Sequence, residues 1–178
     1  MDSINRQQTE ENHKDLQGAP AGKKIEDLAG KNKTCFFCSG IKTGNPVTVR
    51  PMAVQKMDEE GNFWFLSAND SHKNQDILAD NHVQLLFQGS AHSDFLSIYG
   101  VASISTDKEL IKELWEPIIK TWFTGGVDDP RITVIKVATS QGYYWDNKHG
   151  DAIALVKMAA GAVLGKTMDD SIEGKLEV

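Results

Sequence analysis

From Thr34 to Trp145 the chain is cut into short runs of β-branched and aromatic residues separated by turn signals. Strands are expected over Thr34–Ser39, Val47–Val54, Asn62–Ser67, His82–Phe87, Phe95–Ser105, Arg131–Thr139 and Gly142–Trp145. Asp58-Glu59-Glu60-Gly61 reads as the hairpin turn joining two of them, with Gly61 supplying the unusual dihedral. In Phe95–Ser105, Leu96, Ile98, Gly100, Ala102 and Ile104 share one apolar or small face. Two helical patterns interrupt the strands. Ser71–Asp80 opens on a capping serine. Asp107–Phe123 follows Thr106-x-x-Glu109, which reads as a capping box, and Pro117 should kink or split it. A further short helix is expected over Lys24–Gly30. Many short strands and few helices predict a mainly β fold, a small antiparallel β-barrel with helical additions.

A chain of 178 residues can bury one sizeable core. Residues 1–20 are polar and end at Gly18-Ala19-Pro20, which predicts a flexible N-terminal tail before a single domain over 21–178. The net charge of −6 argues against a nucleic-acid binder, whose contact face would be basic. No apolar run reaches the ~20 residues that span a bilayer, and Met1 to Lys14 has no signal-peptide core. A cytoplasmic location is therefore expected, with no membrane partner.

Several patterns read as structural. Cys35 and Cys38 have C-x-x-C spacing, but on a strand residues three apart face opposite ways and cannot share a bond or a metal. Ala160-x-x-x-x-Gly165-Lys166-Thr167 matches the loosest phosphate-loop pattern without its strand–helix context. His13, His72, His82, His92 and His149 match no metal spacing. Asp128-Asp129-Pro130 reads as a turn, and Trp115 and Trp122 as core or dimer contacts. The residues after Thr167 read as an acidic tail, in which Asp170 should be inert.

The stretch that points to chemistry is Arg50-Pro51-Met52, then Phe63-Trp64-Phe65-Leu66-Ser67, then Ser71-His72-Lys73. A strand leads through a short loop into a helix whose first turn carries a hydroxyl and a cation. Free N–H groups and the helix dipole favour an anion there, and Lys73 adds full charge. Arg50 could close the site with a bidentate grip on phosphate. Pro51 cannot donate to a ladder, so its strand should be an edge or bulged. Met52, Trp64 and Phe65 could line a planar ring. These residues by themselves predict a phosphate-bearing aromatic ligand.

Arg50-Pro51-Met52, Gly61-x-x-Trp64-Phe65, Ser71-x-Lys73, Gly100-x-Ala102, Glu113-Leu114-Trp115, Trp122-Phe123-x-Gly125-Gly126-x-Asp128-Asp129-Pro130 and Tyr144-Trp145-Asp146 occur in order. Together, from about Ile25 to Lys166, they resemble the general stress protein 26 branch of the pyridoxamine 5′-phosphate oxidase-like proteins. The resemblance implies an FMN-binding split β-barrel, a homodimer, and FMN in a cleft between subunits. It implies that Arg50, Ser71 and Lys73 hold the phosphate. It implies that Pro51, Met52 and Val54, with Phe65, Leu66 and Ser67, border the isoalloxazine ring. His72, as the neighbour of Lys73, and Trp145 are further candidate cofactor contacts. The oxidases proper carry a C-terminal Arg-x-His pattern that is missing here, and Gln55 replaces a usual lysine. Vitamin B6 oxidation is therefore not expected. Two functions stay open. One is an FMN-dependent oxidoreductase on an unknown small molecule, with NAD(P)H as donor. The other is a flavin-binding storage, sensing or scavenging protein without turnover. A deazaflavin or haem in the barrel is a third option.

Overall fold

The structure is a computed structural model that describes residues 11–44, 46–91, 93–164, 168 and 170–178. The first strand is β1 (Leu16–Gln17), followed by helix α1 (Ala19–Lys31), β2 (Thr34–Ser39), β3 (Thr48–Ala53), β4 (Lys56–Met57) and β5 (Phe63–Ala68). Helix α2 (His72–Ala79), β6 (His82–Gln88), β7 (Phe95–Ser105) and α3 (Lys108–Leu114) come next. Two 3-10 turns, Pro117–Thr121 and Gly126–Asp128, lead to β8 (Ile132–Asn147), α4 (Asp151–Leu164) and β9 (Ser171–Glu177).

The sheet runs β1-β9-β8-β7-β6-β2-β3, and β5 adds to it by pairing with β8. All pairings are antiparallel except β1 with β9. β8 is long enough to serve two partners along one edge. Its Ile132–Val137 half pairs with β5 and its Gln141–Asn147 half with β9. Ser140 is the extra residue of a bulge, since Tyr99 faces Gln141 while Gly100 faces Thr139. The two strands expected over Arg131–Thr139 and Gly142–Trp145 are thus one strand that bends at a bulge.

The barrel is split because β3 and β5 form no ladder. β3 ends the sheet path, as Pro51 demands. The chain crosses the gap after β3 through Gln55, whose N–H donates to Trp64 O at 2.8 Å, into β4, which pairs with β5. β5 is buried on both faces. Phe63 and Phe65 enter the main core with Phe37, Leu85 and Ile98, while Trp64 joins a second cluster with Ile111, Leu114, Ile119 and Phe123. That double burial explains its uninterrupted apolar run. α1 packs Ala21, Ile25, Leu28 and Ala29 onto the main core at helical spacing. Gly61 turns the hairpin at φ +75° as expected.

Four expectations need correction. Residues 12–17 are not a loose tail: Lys14 N–H donates to Glu173 O at 2.8 Å, Tyr144 O–H to Lys14 O at 2.8 Å, and β1 pairs with β9. Main-chain pairing is blind to the polar side chains that suggested disorder; residues 1–10 lie outside the described set. α1 starts at Ala19, because Pro20 opens a helix rather than ending a tail. The cap of α3 is Asp107, whose carboxylate accepts from Glu109 N at 2.9 Å, rather than Thr106; Pro117 splits the helical pattern as expected, opening a separate 3-10 turn. The acidic C-terminus is strand β9, and Asp170 just before it is buried. It accepts from His149 Nδ1 and Lys157 Nζ, each at 2.7 Å. α4 was not foreseen; Ile153, Leu155, Val156 and Met158 on it are exposed. Ala160 lies inside α4, which follows an antiparallel strand, and Gly165, Lys166 and Thr167 lie outside the described residues.

Among the described residues, no group of three or more His, Cys, Asp or Glu could hold a metal. No helix among them is long and apolar enough to cross a membrane. Cys35 faces the main core, where burial pushes its thiol up to about 12, and Cys38 lies on the other face of β2.

Candidate functional site

The split between β3 and β5 opens into a cleft of about 650 Å³, within the range of small-molecule sites. β3 supplies Pro51, Met52 and Ala53 to one wall, and Gln55 follows. β5 supplies Leu66, Ser67 and Ala68 opposite. The start of α2 closes one end with Ser71 and Lys73. Ile119, Trp122, Phe123 and Arg131 complete the lining.

The α2 end is pinned by hydrogen bonds. Ser71 Oγ caps the helix by accepting from Asn74 N at 3.2 Å. Asn74 Nδ2 donates to Thr133 Oγ1 at 2.9 Å, and Thr133 Oγ1 donates to Ser67 O at 3.0 Å. Ser67 Oγ and Ser71 Oγ are 3.1 Å apart. The first turn of α2 is therefore fixed against β5 and β8.

Lys73 is 8% exposed. Its Nζ lies 3.2 Å from Met52 Sδ, a weak acceptor that gives no charge compensation. Burial, then the neighbouring charge of Arg50, lowers its pKa to about 8. Arg50 is occupied differently. Its Nη2 donates to Asp76 Oδ2 at 2.9 Å and its Nη1 to Ser39 Oγ at 3.0 Å. Burial would raise the Asp76 carboxyl, but Arg50 and Ser39 outweigh it and hold it below the usual range.

At the 117–131 wall, Asp129 is buried and grips Arg131 twice, accepting from Nε at 3.0 Å and Nη2 at 2.8 Å. The Arg131 side chain and backbone N–H draw the Asp129 carboxyl well below the usual range. Asp128-Asp129-Pro130 is a turn as expected, and it also orients an arginine.

Of the residues expected at a site, Pro51, Met52, Leu66, Ser67, Ser71 and Lys73 come together here. Arg50 stands behind Lys73, tied to Asp76. Four lie elsewhere. Phe65 is wholly inside the main core, edge-on to Phe37 at 5.4 Å, because alternate β5 residues face opposite ways. Val54 packs against the same core. His72 is exposed on α2. Trp145 is on the far half of β8, against Tyr143 at 4.6 Å. Ile119, Trp122, Phe123 and Arg131 were missed. Their signal was the Trp122-Phe123 pair before Gly125-Gly126 and the Asp129-x-Arg131 charge spacing, which identifies a compact loop but not what it covers.

A family model described as pyridoxamine 5′-phosphate oxidase like matches residues 21–169. The chain belongs to that family. The protein bli-3 of Neurospora crassa is 28% identical over 159 residues, covering 83% of this chain and 76% of the relative. A protein assigned as general stress protein 26 from Jannaschia sp. CCS1 superposes with a TM-score of 0.66 at 22% identity, covering 89% of this chain and 95% of that one. The general stress FMN/FAD binding protein of Xanthomonas citri gives 0.56 at 23% identity, over 68% and 84% of the two chains. The split barrel is thus the fold of this family, and the cleft lies in its split.

Proposed function

We propose that the chain binds FMN in the β3–β5 cleft and serves as a flavin-dependent oxidoreductase acting in the cytosol. The observation that carries this reading is Lys73, a buried cation in a largely apolar cleft, with no counter-charge at it among the described residues. A buried charge costs several kcal/mol unless paired, so a site built this way calls for an anionic ligand. The residues fit the group. Lys73, with the Ser67 and Ser71 hydroxyls and the first turn of α2, would hold the phosphate, and Arg50 adds charge behind it. Met52, Leu66 and Phe123 offer the apolar wall that keeps water from a ring system. FMN/FAD binding by the Xanthomonas citri protein supports the same choice. When bound, the flavin supplies the electron-transfer chemistry, with NAD(P)H as donor, and the chain's own residues bind, orient and exclude solvent.

A second copy completes the site in this reading. Phe36 and Leu86 face each other across β2 and β6, exposed at 55% and 38%. Pro51 pairs with Phe36 on that face and also lines the cleft, so an apolar sheet face runs into the mouth of the site. Trp145 is exposed on the same side of the sheet, paired with Phe95. A two-fold dimer through this face would bring a partner to the open side of the cleft.

One observation favours the second reading, flavin binding without dedicated turnover. Among the described residues, no His, Cys, Asp, Glu or Tyr lines the cleft to act as acid or base. Titration of the purified chain with FMN and with riboflavin, which lacks the phosphate, tests the assignment. FMN should bind at least about tenfold tighter, the worth of one charge-assisted bond. Equal affinities would defeat the phosphate reading. Bleaching of bound flavin by NADPH would separate enzyme from binder. Sedimentation at low micromolar concentration, with and without FMN, tests the dimer.

A further inference from the structure

We infer that Arg131 is a second anion-binding group of the cleft, aimed by Asp129 at the carboxylate of a planar molecule that lies against Trp122. The proposal rests on the flavin reading for what occupies the Lys73 end. Arg131 and Lys73 line one cleft from different elements, Lys73 from the first turn of α2 and Arg131 from the loop that leads into β8.

The chemistry of Arg131 follows from which of its N–H groups are used. A guanidinium carries five donors in a planar fork. Asp129 accepts from Nε and Nη2, which consumes one edge. The Nη1–Nη2 edge is not engaged by any other hydrogen bond among the described residues. Two N–H groups on one edge match a carboxylate bidentately. Asp129 is itself only 5% exposed at its side chain, whereas the Arg131 side chain is 46% exposed, so the pair presents the cation and hides the anion. Asp129 and the more distant Asp70 are the acidic groups acting on Arg131. Trp122 stands on the same wall, 68% exposed, as a flat surface for a ring.

Lys73 and Arg131 therefore divide the labour. The first takes the cofactor's phosphate, and the second selects a small aromatic acid as the molecule that meets the cofactor. Arg131 is a specificity residue and Asp129 its positioning residue.

Calorimetric titration of the full, FMN-saturated chain with benzoate and with neutral benzamide tests this. The parent should bind benzoate at least about tenfold tighter. Arg131→Met should erase the difference while FMN affinity stays within about twofold of the parent. Arg131→Lys, charged but unforked, should keep only part of the preference. Asp129→Asn should lower benzoate binding and leave benzamide binding alone, which general loosening of the loop would not do. If Arg131→Met does not fold with Asp129 left unpaired, Arg131→Met combined with Asp129→Asn replaces it. A parent without preference for benzoate, including one that binds neither probe, overturns the proposal. So does a preference that survives Arg131→Met, or a variant that loses FMN. Should the parent bind no FMN, the cofactor reading falls by itself. The same two probes on the cofactor-free chain then decide the role of Arg131.

Discussion

Lys73 Nζ sits 3.2 Å from Met52 Sδ, and among the described residues no carboxylate reaches it. The thioether cannot replace the water that burial removed. Lys73→Met should therefore stabilise the ligand-free protein by about 1–3 kcal/mol and weaken FMN binding at least about tenfold. Thermal melts without and with FMN should move in opposite directions. A variant that binds FMN like the parent would remove Lys73 from the site.

The same residue predicts a pH dependence. Its folded pKa, about 8, lies below the ordinary lysine value. Between about 8 and 10 the unfolded chain holds a proton that the folded chain has released, so stability of the ligand-free protein should rise with pH across that window. FMN affinity should fall over the same window as the cation is lost. Melting and titration at matched ionic strength check both signs. Lys73→Met should flatten both curves.

Arg50 and Asp76 should behave as one unit. Arg50→Ala removes a cation near the phosphate and also frees Asp76 to repel it. Its loss of FMN affinity should therefore exceed that of the double variant Arg50→Ala, Asp76→Ala. Coupling of about 0.5–3 kcal/mol in a double-mutant cycle is expected for groups in direct contact. Additive losses would mean that Asp76 does not bear on the ligand.

Gly174 tests whether residues 12–17 belong to the domain. A Cβ there would lie 2.0 Å from Lys14 O, a backbone atom that can move only if the segment lifts. Gly174→Ala should cost about 1–3 kcal/mol and expose residues 12–17 to protease. Unchanged melting and cleavage would mean that the pairing of β1 with β9 adds nothing to stability.

Asp170 is no inert tail residue. Burial would raise its carboxyl, but hydrogen bonds from Lys157 and His149 outweigh that and hold it at about 2. Its contribution is complete above the ordinary aspartate value of about 4 and lost as pH falls from there through about 2. Asp170→Ala should cost about 2 kcal/mol in urea melts near neutral pH, because it leaves Lys157 and His149 without their shared partner.

The strands of the barrel were legible because alternation and apolar runs act locally. Phe63–Ala68 needed only its own side chains to be a strand, and Ser71 only its hydroxyl to cap α2. Gly61 and Pro51 carried their backbone constraints openly, so the hairpin and the sheet edge could be placed. The ordered motifs from Arg50 to Trp145 carried the family. Other features depend on partners distant in the chain. Pairing of Lys14 with Glu173 is a main-chain contact that polar side chains neither favour nor announce. Trp122 reads as a core or dimer contact until the 3-10 turn that opens at Pro117 sets it at the rim of the cleft. The sequence alone determined a split-barrel chain with a cation at the start of a helix. Only the tertiary structure decided that Asp76 occupies Arg50, that Lys73 is buried with no counter-charge among the described residues, and that Arg131 joins the cleft. Charge compensation depends on distances between elements, and those are set by packing rather than by spacing along the chain.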